Sequence, residues 1–178
     1  MLTEFSKYSS RVNLASGEAM LKVLFVCLGN ICRSPSAEAA FIAEVKYQGL
    51  SSQIVVDSAG TIGHHAGERA DPRSIKHAKQ RGLDITSISR KFDPRIDFIA
   101  FDYIIAMDDS NIQDLKILDP IGMSSIKIYK MTDFKVDRTE NIVPDPYHGG
   151  PEAFELVLDI VQDCSRGLLK HMREKHQL

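Results

Sequence analysis

The sequence is short of several features, and each shortage narrows what the chain can be. It has no apolar run of membrane-spanning length, and its first twenty residues, which include Glu4, Lys7, Arg11 and Glu18, contain no apolar core of a secretory leader. No membrane partner is expected. The formal net charge is only −2 over 178 residues, so there is no bulk positive field to attract nucleic acid, and an anionic ligand would need a local site. Cysteine is scarce and odd in number: Cys27, Cys32 and Cys164. Three such residues do not make a disulfide framework, and a reducing compartment, the cytoplasm, is the expected location. No internal repeat, low-complexity tract or linker interrupts the chain. Neither nucleotide-loop pattern, G-x-x-x-x-G-K-[ST] or G-x-G-x-x-G, accompanies the cysteines.

What remains is an alternation of short apolar runs and helical segments. Residues 1–20 are polar and aperiodic and read as a loosely packed extension; residues 21–178 read as one domain. Val23–Val26 reads as a buried strand running into the turn Cys27-Leu28-Gly29-Asn30. Ser34-Pro35 then looks like a helix cap followed by proline at the first helical position, with Ser36–Tyr47 continuing as helix. Ile54–Val56, Tyr103–Ala106 and Ile126–Tyr129 read as further strands. Helices are expected from Asp71-Pro72 to near Gly82, from about Asp109 to Leu118, and over the last segment. There Phe154, Val157, Leu158, Val161, Leu168 and Met172 share one face. This grammar predicts an α/β fold: a single-domain three-layer sandwich with a central parallel sheet of about four strands and helices on both faces. Ligands of such sheets bind at the carboxyl ends of the strands, where the loop between the first strand and first helix lies.

That loop carries the chemistry. Cys27 has Arg33 six positions on, whereas Cys32 and Cys164 have Glu38 and Lys170 at that offset. A tight strand-to-helix loop turns the backbone N–H groups of Leu28, Gly29, Asn30, Ile31, Cys32, Arg33 and Ser34 toward an anion, and the helix N-terminus adds partial positive charge. Gly29 is expected to ease the turn and Asn30 to accept a left-handed conformation. Arg33 can fork two hydrogen bonds onto phosphate oxygens. The same environment favours a thiolate on Cys27, a nucleophile at neutral pH. Ser34 could donate to the sulfur when it leaves. The bland alternative, a structural cysteine near a surface arginine, requires the whole strand–loop–helix context to be coincidence.

A nucleophile that accepts a phosphoryl group needs an acid to protonate the departing oxygen. Four Asp-Pro pairs offer one. Asp71 precedes a helix as a cap would, Asp119 follows one, and Asp93 sits among basic residues. Asp145 leads Pro146-Tyr147-His148-Gly149-Gly150, a loop that sets an acid beside an aromatic ring. It is the leading candidate, with a plain turn aspartate as the alternative. Cys164 reads as a core thiol, and Cys32 either fills the loop or is a redox partner of Cys27. His64 and His65 have no third or fourth metal ligand at a recognisable spacing, so neither a metal nor another cofactor is expected. His171 and His176 read as exposed helix-end residues.

At these residues the chain resembles the low-molecular-weight protein tyrosine phosphatase family. The matching segments are Val23–Pro35, Val56-Asp57-Ser58-Ala59-Gly60, Phe101-Asp102-Tyr103-Ile104 with Met107-Asp108, and Asp145-Pro146-Tyr147. The resemblance implies hydrolysis of phosphotyrosine in proteins or peptides, or of small aryl phosphates, with inorganic phosphate as product and a monomeric enzyme. It implies a phosphocysteine on Cys27, phosphate binding by Arg33, and Asp145 as general acid and then base. Asn30, Ser34 and Ser58 would support the loop, and Tyr147 would wall the substrate cleft. Three positions depart from the family pattern: Ser87 replaces a histidine tied to the loop, while His64 and His148 replace aromatic cleft residues. Two rivals stand beside this reading. An arsenate reductase would need resolving cysteines on a mobile downstream segment, and a non-catalytic phosphotyrosine-binding module would have no use for both Cys27 and Asp145.

Overall fold

A computed structural model describes residues 20–178; the expected extension, apart from Met20, lies outside the described residues. The elements are β1 (Leu21–Cys27), α1 (Arg33–Tyr47), β2 (Ile54–Gly60), α2 (Pro72–Gln80), α3 (Asp97–Ala100), β3 (Tyr103–Ala106), α4 (Asp109–Leu118), β4 (Ile128–Lys130) and α5 (Pro151–His176). Short 3-10 turns cover Ser125–Lys127 and Met131–Phe134. The four strands pair in parallel in the order β2-β1-β3-β4. In register, Val23 lies beside Val56 on one side and Tyr103 on the other, and Ile104 lies beside Ile128.

The period-two geometry of a strand divides its side chains between the faces. Val23, Phe25, Tyr103 and Ile105 pack against α1, α2 and α5, joining Phe41, Val157, Val161 and Leu168. Leu24, Val26, Ile104 and Ala106 turn to the other face and pack against Phe98 of α3 and Leu115 of α4. Both faces of β1 and β3 are therefore covered, which is why these strands read as continuous apolar runs rather than alternating ones. Phe134 approaches α5 closely at Gly167, where an added Cβ would lie 1.9 Å from the Phe134 carbonyl oxygen.

Four details differ from the sequence reading. Strand β2 is longer than Ile54–Val56 and runs to Gly60, because it stays paired along the whole of β1. The fourth strand begins at Ile128, since Ser125–Lys127 close a 3-10 turn first. Helix α1 begins at Arg33 with Cys32 in the cap position, so Ser34 lies inside the first turn and does not cap it. His171 is not an exposed helix-end residue. Its ring packs among Phe134, Tyr129 and Tyr103, while His176 keeps its exposure but bonds the Tyr103 hydroxyl at 2.8 Å.

Candidate active site

The carboxyl ends of β1, β2 and β3 deliver Cys27, Gly60 and Ala106 to one edge of the sheet. Strand β2 continues alongside the loop that follows Cys27: Thr61 N–H donates to the Cys27 carbonyl at 2.9 Å and Ile62 N–H to that of Leu28 at 3.1 Å. The approach is so close that a Cβ on Gly60 would meet the Leu28 carbonyl oxygen at 2.7 Å and the Asn30 nitrogen at 3.1 Å. Glycine is needed there for space, not for conformation.

The left-handed turn expected of this loop falls on Asn30, whose φ is 55°. Gly29 has no positive φ; what its missing Cβ does is leave room for the ring of His65, whose Cδ2 would lie 3.2 Å from it. The cost of the left-handed Asn30 is offset by its side chain. Its Nδ2 donates to Ser34 Oγ and to Ser58 Oγ, both at 2.8 Å, and its Oδ1 accepts from Arg90 N–H at 2.9 Å. Ser58 Oγ donates in turn to Glu38 Oε2 at 2.6 Å, and Ser89 Oγ donates to the Gly29 carbonyl at 3.1 Å. The expected supports Asn30, Ser34 and Ser58 are thus brought together. Glu38 of α1 and Ser89 and Arg90 of the segment before α3 complete the brace. Arg90 is itself held by Asp57 and by both oxygens of the buried Asp97.

This brace presents the sulfur. Cys27 Sγ accepts from Asn30 N–H at 3.3 Å and lies 3.1 Å from Ser34 Oγ. As the second residue of α1, Ser34 keeps its hydroxyl on the sulfur, which explains why it does not cap the helix. The guanidinium of Arg33 is buried beneath the site. Its Nη1 bonds Asp108 and the Val143 carbonyl, and its Nη2 bonds Asp145 Oδ2 at 3.0 Å. Burial works against the guanidinium charge, but Cys27, Asp108 and Asp145 more than compensate, and its pKa lies above the ordinary arginine value. Asp108 was named in the sequence only within a matching segment. In the structure it caps α4 by accepting from Asn111 N–H at 2.7 Å while its other oxygen orients Arg33. A cap signal was legible in Met107-Asp108-Asp109-Ser110; the second duty was not.

Asp145 is placed by backbone contacts on either side. Val143 N–H donates to the Met107 carbonyl at 2.8 Å, and Tyr147 N–H closes onto Asp145 Oδ1 at 3.2 Å. The carboxylate is 46% exposed, open to incoming groups. The other Asp-Pro pairs do ordinary work: Asp71 caps α2 through Arg73 N–H, Asp119 accepts from Ser124 N–H, and Asp93 holds Arg95.

Cys27, Arg33 and Asp145 line one cavity of about 330 Å³ together with Leu28, Gly29, Ile31 and Cys32. The expected wall residues His64, Tyr147 and His148 line it too, joined by Ile62 and His65, which the sequence reading left out of the cleft. Cys32 is buried and its thiol is pushed up to about 12, by burial first and then by Asp71, Cys27 and Asp145. It stays a thiol at neutral pH, as a loop-filling residue would. Among the described residues no group of three or more potential metal ligands is gathered.

A braced cysteine loop, a buried arginine six residues on and a facing aspartate can bind a phosphate dianion and transfer its phosphoryl group. The model of the low molecular weight phosphotyrosine protein phosphatase family matches residues 22–178. The chain belongs to that family. The low molecular weight phosphotyrosine protein phosphatase of Schizosaccharomyces pombe is 41% identical over 151 residues, which is 84% of this chain and 96% of that one. Its Homo sapiens counterpart is 38% identical over 154 residues, 86% and 96% of the two chains. A crystal structure of the protein tyrosine phosphatase from Entamoeba histolytica, with Hepes in its active site, superposes with a TM-score of 0.84 at 43% identity. That match covers 89% of this chain and 99% of that one. The protein is a protein-tyrosine phosphatase, a hydrolase built on the family's four-stranded parallel α/β sheet.

Proposed function

We propose that this phosphatase works through a covalent phosphocysteine on Cys27, with Arg33 binding the phosphate and Asp145 as acid and then base. The observation that carries the assignment is that all three side chains line one cavity, with Asp145 bonded to the very guanidinium that would receive the phosphate. The fork of Arg33 and the N–H groups of Leu28 to Ser34 hold the equatorial phosphoryl oxygens, where charge is spread in the transition state. The Cys27 thiolate attacks phosphorus in line; the S–P bond forms as the P–O bond to the tyrosyl oxygen breaks. Phosphate oxygens on Arg33 release Asp145, which takes up a proton from solvent beside the bound dianion and gives it to the departing phenolate. The same carboxylate then takes a proton from water as it attacks phosphorus, the S–P bond breaks, and inorganic phosphate leaves. Ser34, already 3.1 Å from the sulfur, stabilises the thiolate as it departs.

Phosphotyrosyl proteins or peptides are the proposed substrates, and residues 21–178 the catalytic unit, acting as a monomer in the cytoplasm. Three free, buried cysteines among the described residues support a reducing location. No helix among the described residues is long and apolar enough to cross a membrane. Arsenate reduction is the weaker reading, since Cys164 lies fully buried on α5 where no loop could carry it to Cys27. The test is a substrate panel of phosphotyrosine peptide, phosphoserine peptide, p-nitrophenyl phosphate and arsenate. Acid quenching during turnover with labelled p-nitrophenyl phosphate should trap phosphate on Cys27. Label found on no cysteine, or thiol-dependent arsenate reduction in place of ester hydrolysis, would overturn the mechanism.

A further inference from the structure

Residues 135–150, which carry Asp145, form neither helix nor strand. A loop of that length keeps one course only where something fastens it. The fastening is on α5. Asp163 is buried, with 3% exposure, and a buried carboxylate is costly unless its oxygens are satisfied. Consecutive backbone N–H groups satisfy it: Val136 donates to Oδ2 at 2.8 Å, Asp137 to Oδ1 at 3.1 Å and Arg138 to Oδ2 at 3.3 Å. Arg166, one turn along the helix, adds its Nη2 to Oδ1 at 2.6 Å. Successive N–H groups aimed at one anion form a nest, and bonds to an ionised acceptor are the stronger kind. This nest is filled by the chain's own side chain. Beside it, Gly167 admits the Phe134 carbonyl so closely that no side chain could stand there. Two neighbouring turns of α5 therefore grip residues 134–138.

From that grip the chain is tied at short intervals as far as Asp145. Thr132 Oγ1 donates to the Asn141 carbonyl at 2.8 Å, and Lys135 Nζ to the Asn141 side chain at 3.1 Å. Val143 N–H donates to the Met107 carbonyl, and the Val143 carbonyl accepts from Arg33 Nη1 at 3.3 Å. Asp145 itself is held by Arg33 on one oxygen and by Tyr147 N–H on the other. Once phosphate occupies the Arg33 fork, the first of those bonds is gone. At proton transfer the place of the carboxylate is then set by its backbone, and so by whatever holds the loop.

We propose that Asp163 is a positioning residue for proton transfer: by fixing residues 136–138 on α5 it sets where Asp145 stands relative to the departing oxygen. The inference rests on the reading of Asp145 as acid and deepens it. Asp163 does not line the cavity and acts through Asp145 alone. A misplacement of about 1 Å at a catalytic group costs about 10²-fold, so loss of the nest should slow each substrate in proportion to its need for the acid.

The experiment measures kcat/KM for a phosphotyrosine peptide and for p-nitrophenyl phosphate, a quantity that ends at formation of the phosphoenzyme. Asp163→Asn puts an amide N–H against the nest, and Asp163→Ala empties it. The peptide value should fall roughly 3–10-fold in the first and roughly 10–100-fold in the second, with p-nitrophenyl phosphate losing less than about 3-fold in either. Inhibition by inorganic phosphate should be unchanged, because the cysteine loop is untouched. Thr132→Val, which cuts the tie to Asn141, should shift the two substrates in the same sense and keeps the test open if Asp163→Ala does not fold. Cys164→Ala removes packing from the same helix and should lower the melting temperature without changing the ratio of the two substrates. In an Asp145→Asn background, Asp163→Asn should cost the peptide less than about 2-fold more, since the two act as one unit. Equal slowing of both substrates by the Asp163 variants, losses that add in the double variant, or a shifted ratio in Cys164→Ala would overturn the proposal and leave Asp163 as a structural tie. Equal slowing of both substrates by Asp145→Asn alone would instead overturn the reading of Asp145 as acid, and this proposal with it.

Discussion

Two buried cysteines in this chain have opposite surroundings. Cys164 lies on the inner face of α5 with no exposure, and burial pushes its thiol up to about 12, with Asp163 adding to the effect. Cys27 is buried to nearly the same degree at the end of β1, but Asn30 N–H points at its sulfur, the Ser34 hydroxyl touches it, and Arg33 lies beneath. Burial alone makes a thiol inert, because it disfavours the charged form. The difference between a packing residue and a nucleophile is therefore the set of donors aimed at the sulfur. Those donors exist only because Asn30 accepts a left-handed turn that Ser58, Arg90 and Glu38 hold in place.

The most severe break in this comparison is Cys27→Ser, which keeps the donors and removes the thiolate. Turnover should fall on the order of 10⁴–10⁶-fold with the fold intact, while Cys164→Ser leaves turnover unchanged. Substantial activity in purified Cys27→Ser would end the covalent mechanism. Next in size is Asp145→Asn. Phosphotyrosine peptide hydrolysis should slow by about 10²–10⁴-fold, whereas formation of phosphoenzyme from p-nitrophenyl phosphate, whose leaving group departs as an anion, should slow far less. Equal slowing for both substrates would remove Asp145 from the role of acid.

Arg33→Lys should cost about 10²–10³-fold in kcat, since a point charge cannot reproduce the fork on phosphate. The check is turnover together with the affinity for inorganic phosphate as inhibitor; near-normal values would place Arg33 off the substrate.

A smaller effect tests the other cysteine. Cys32 and Cys164 both hold their protons more tightly folded than unfolded, with folded values of about 12. Their contribution to stability is complete below the ordinary thiol value of about 8.5 and is lost as pH rises through it toward the folded values. Urea midpoints should therefore fall between pH 8 and pH 10, by up to about 1.4 kcal/mol per thiol per pH unit, and less steeply in Cys164→Ala. Equal slopes in wild type and variant would show that Cys164 is not protected by the fold. The smallest effect is expected on removing residues 1–19. A chain beginning at Met20 should keep its melting temperature and activity, and loss of either would show that the catalytic unit extends beyond residues 21–178.

Much of this was legible in the residues themselves. Val23–Val26 followed by Cys27, Arg33 and Ser34 is one strand, one loop and one helix start, all within a short stretch of chain, so this local context, more than the spacing of Cys27 and Arg33 alone, was legible without the fold. The long apolar face of α5 and the Asp71-Pro72 entry of α2 were equally local, whereas α1 starts before the expected Ser34-Pro35 entry. Boundaries were less so. Strand β2 runs to Gly60 only because β1 pairs with it over its full length, and β4 starts late because a 3-10 turn intervenes.

What the sequence by itself determined is the strand–loop–helix context that holds Cys27 and Arg33, and the order in which four Asp-Pro pairs, Asp145 first, are proposed as the acid. Tertiary structure alone decided that Asp108 and Asp145, 75 and 112 residues from Arg33, converge on one guanidinium, and that His65 fills the space left by Gly29. The reason is physical: parallel pairing brings the carboxyl ends of strands distant in sequence to one edge, and no residue spacing along the chain encodes which side chains meet there.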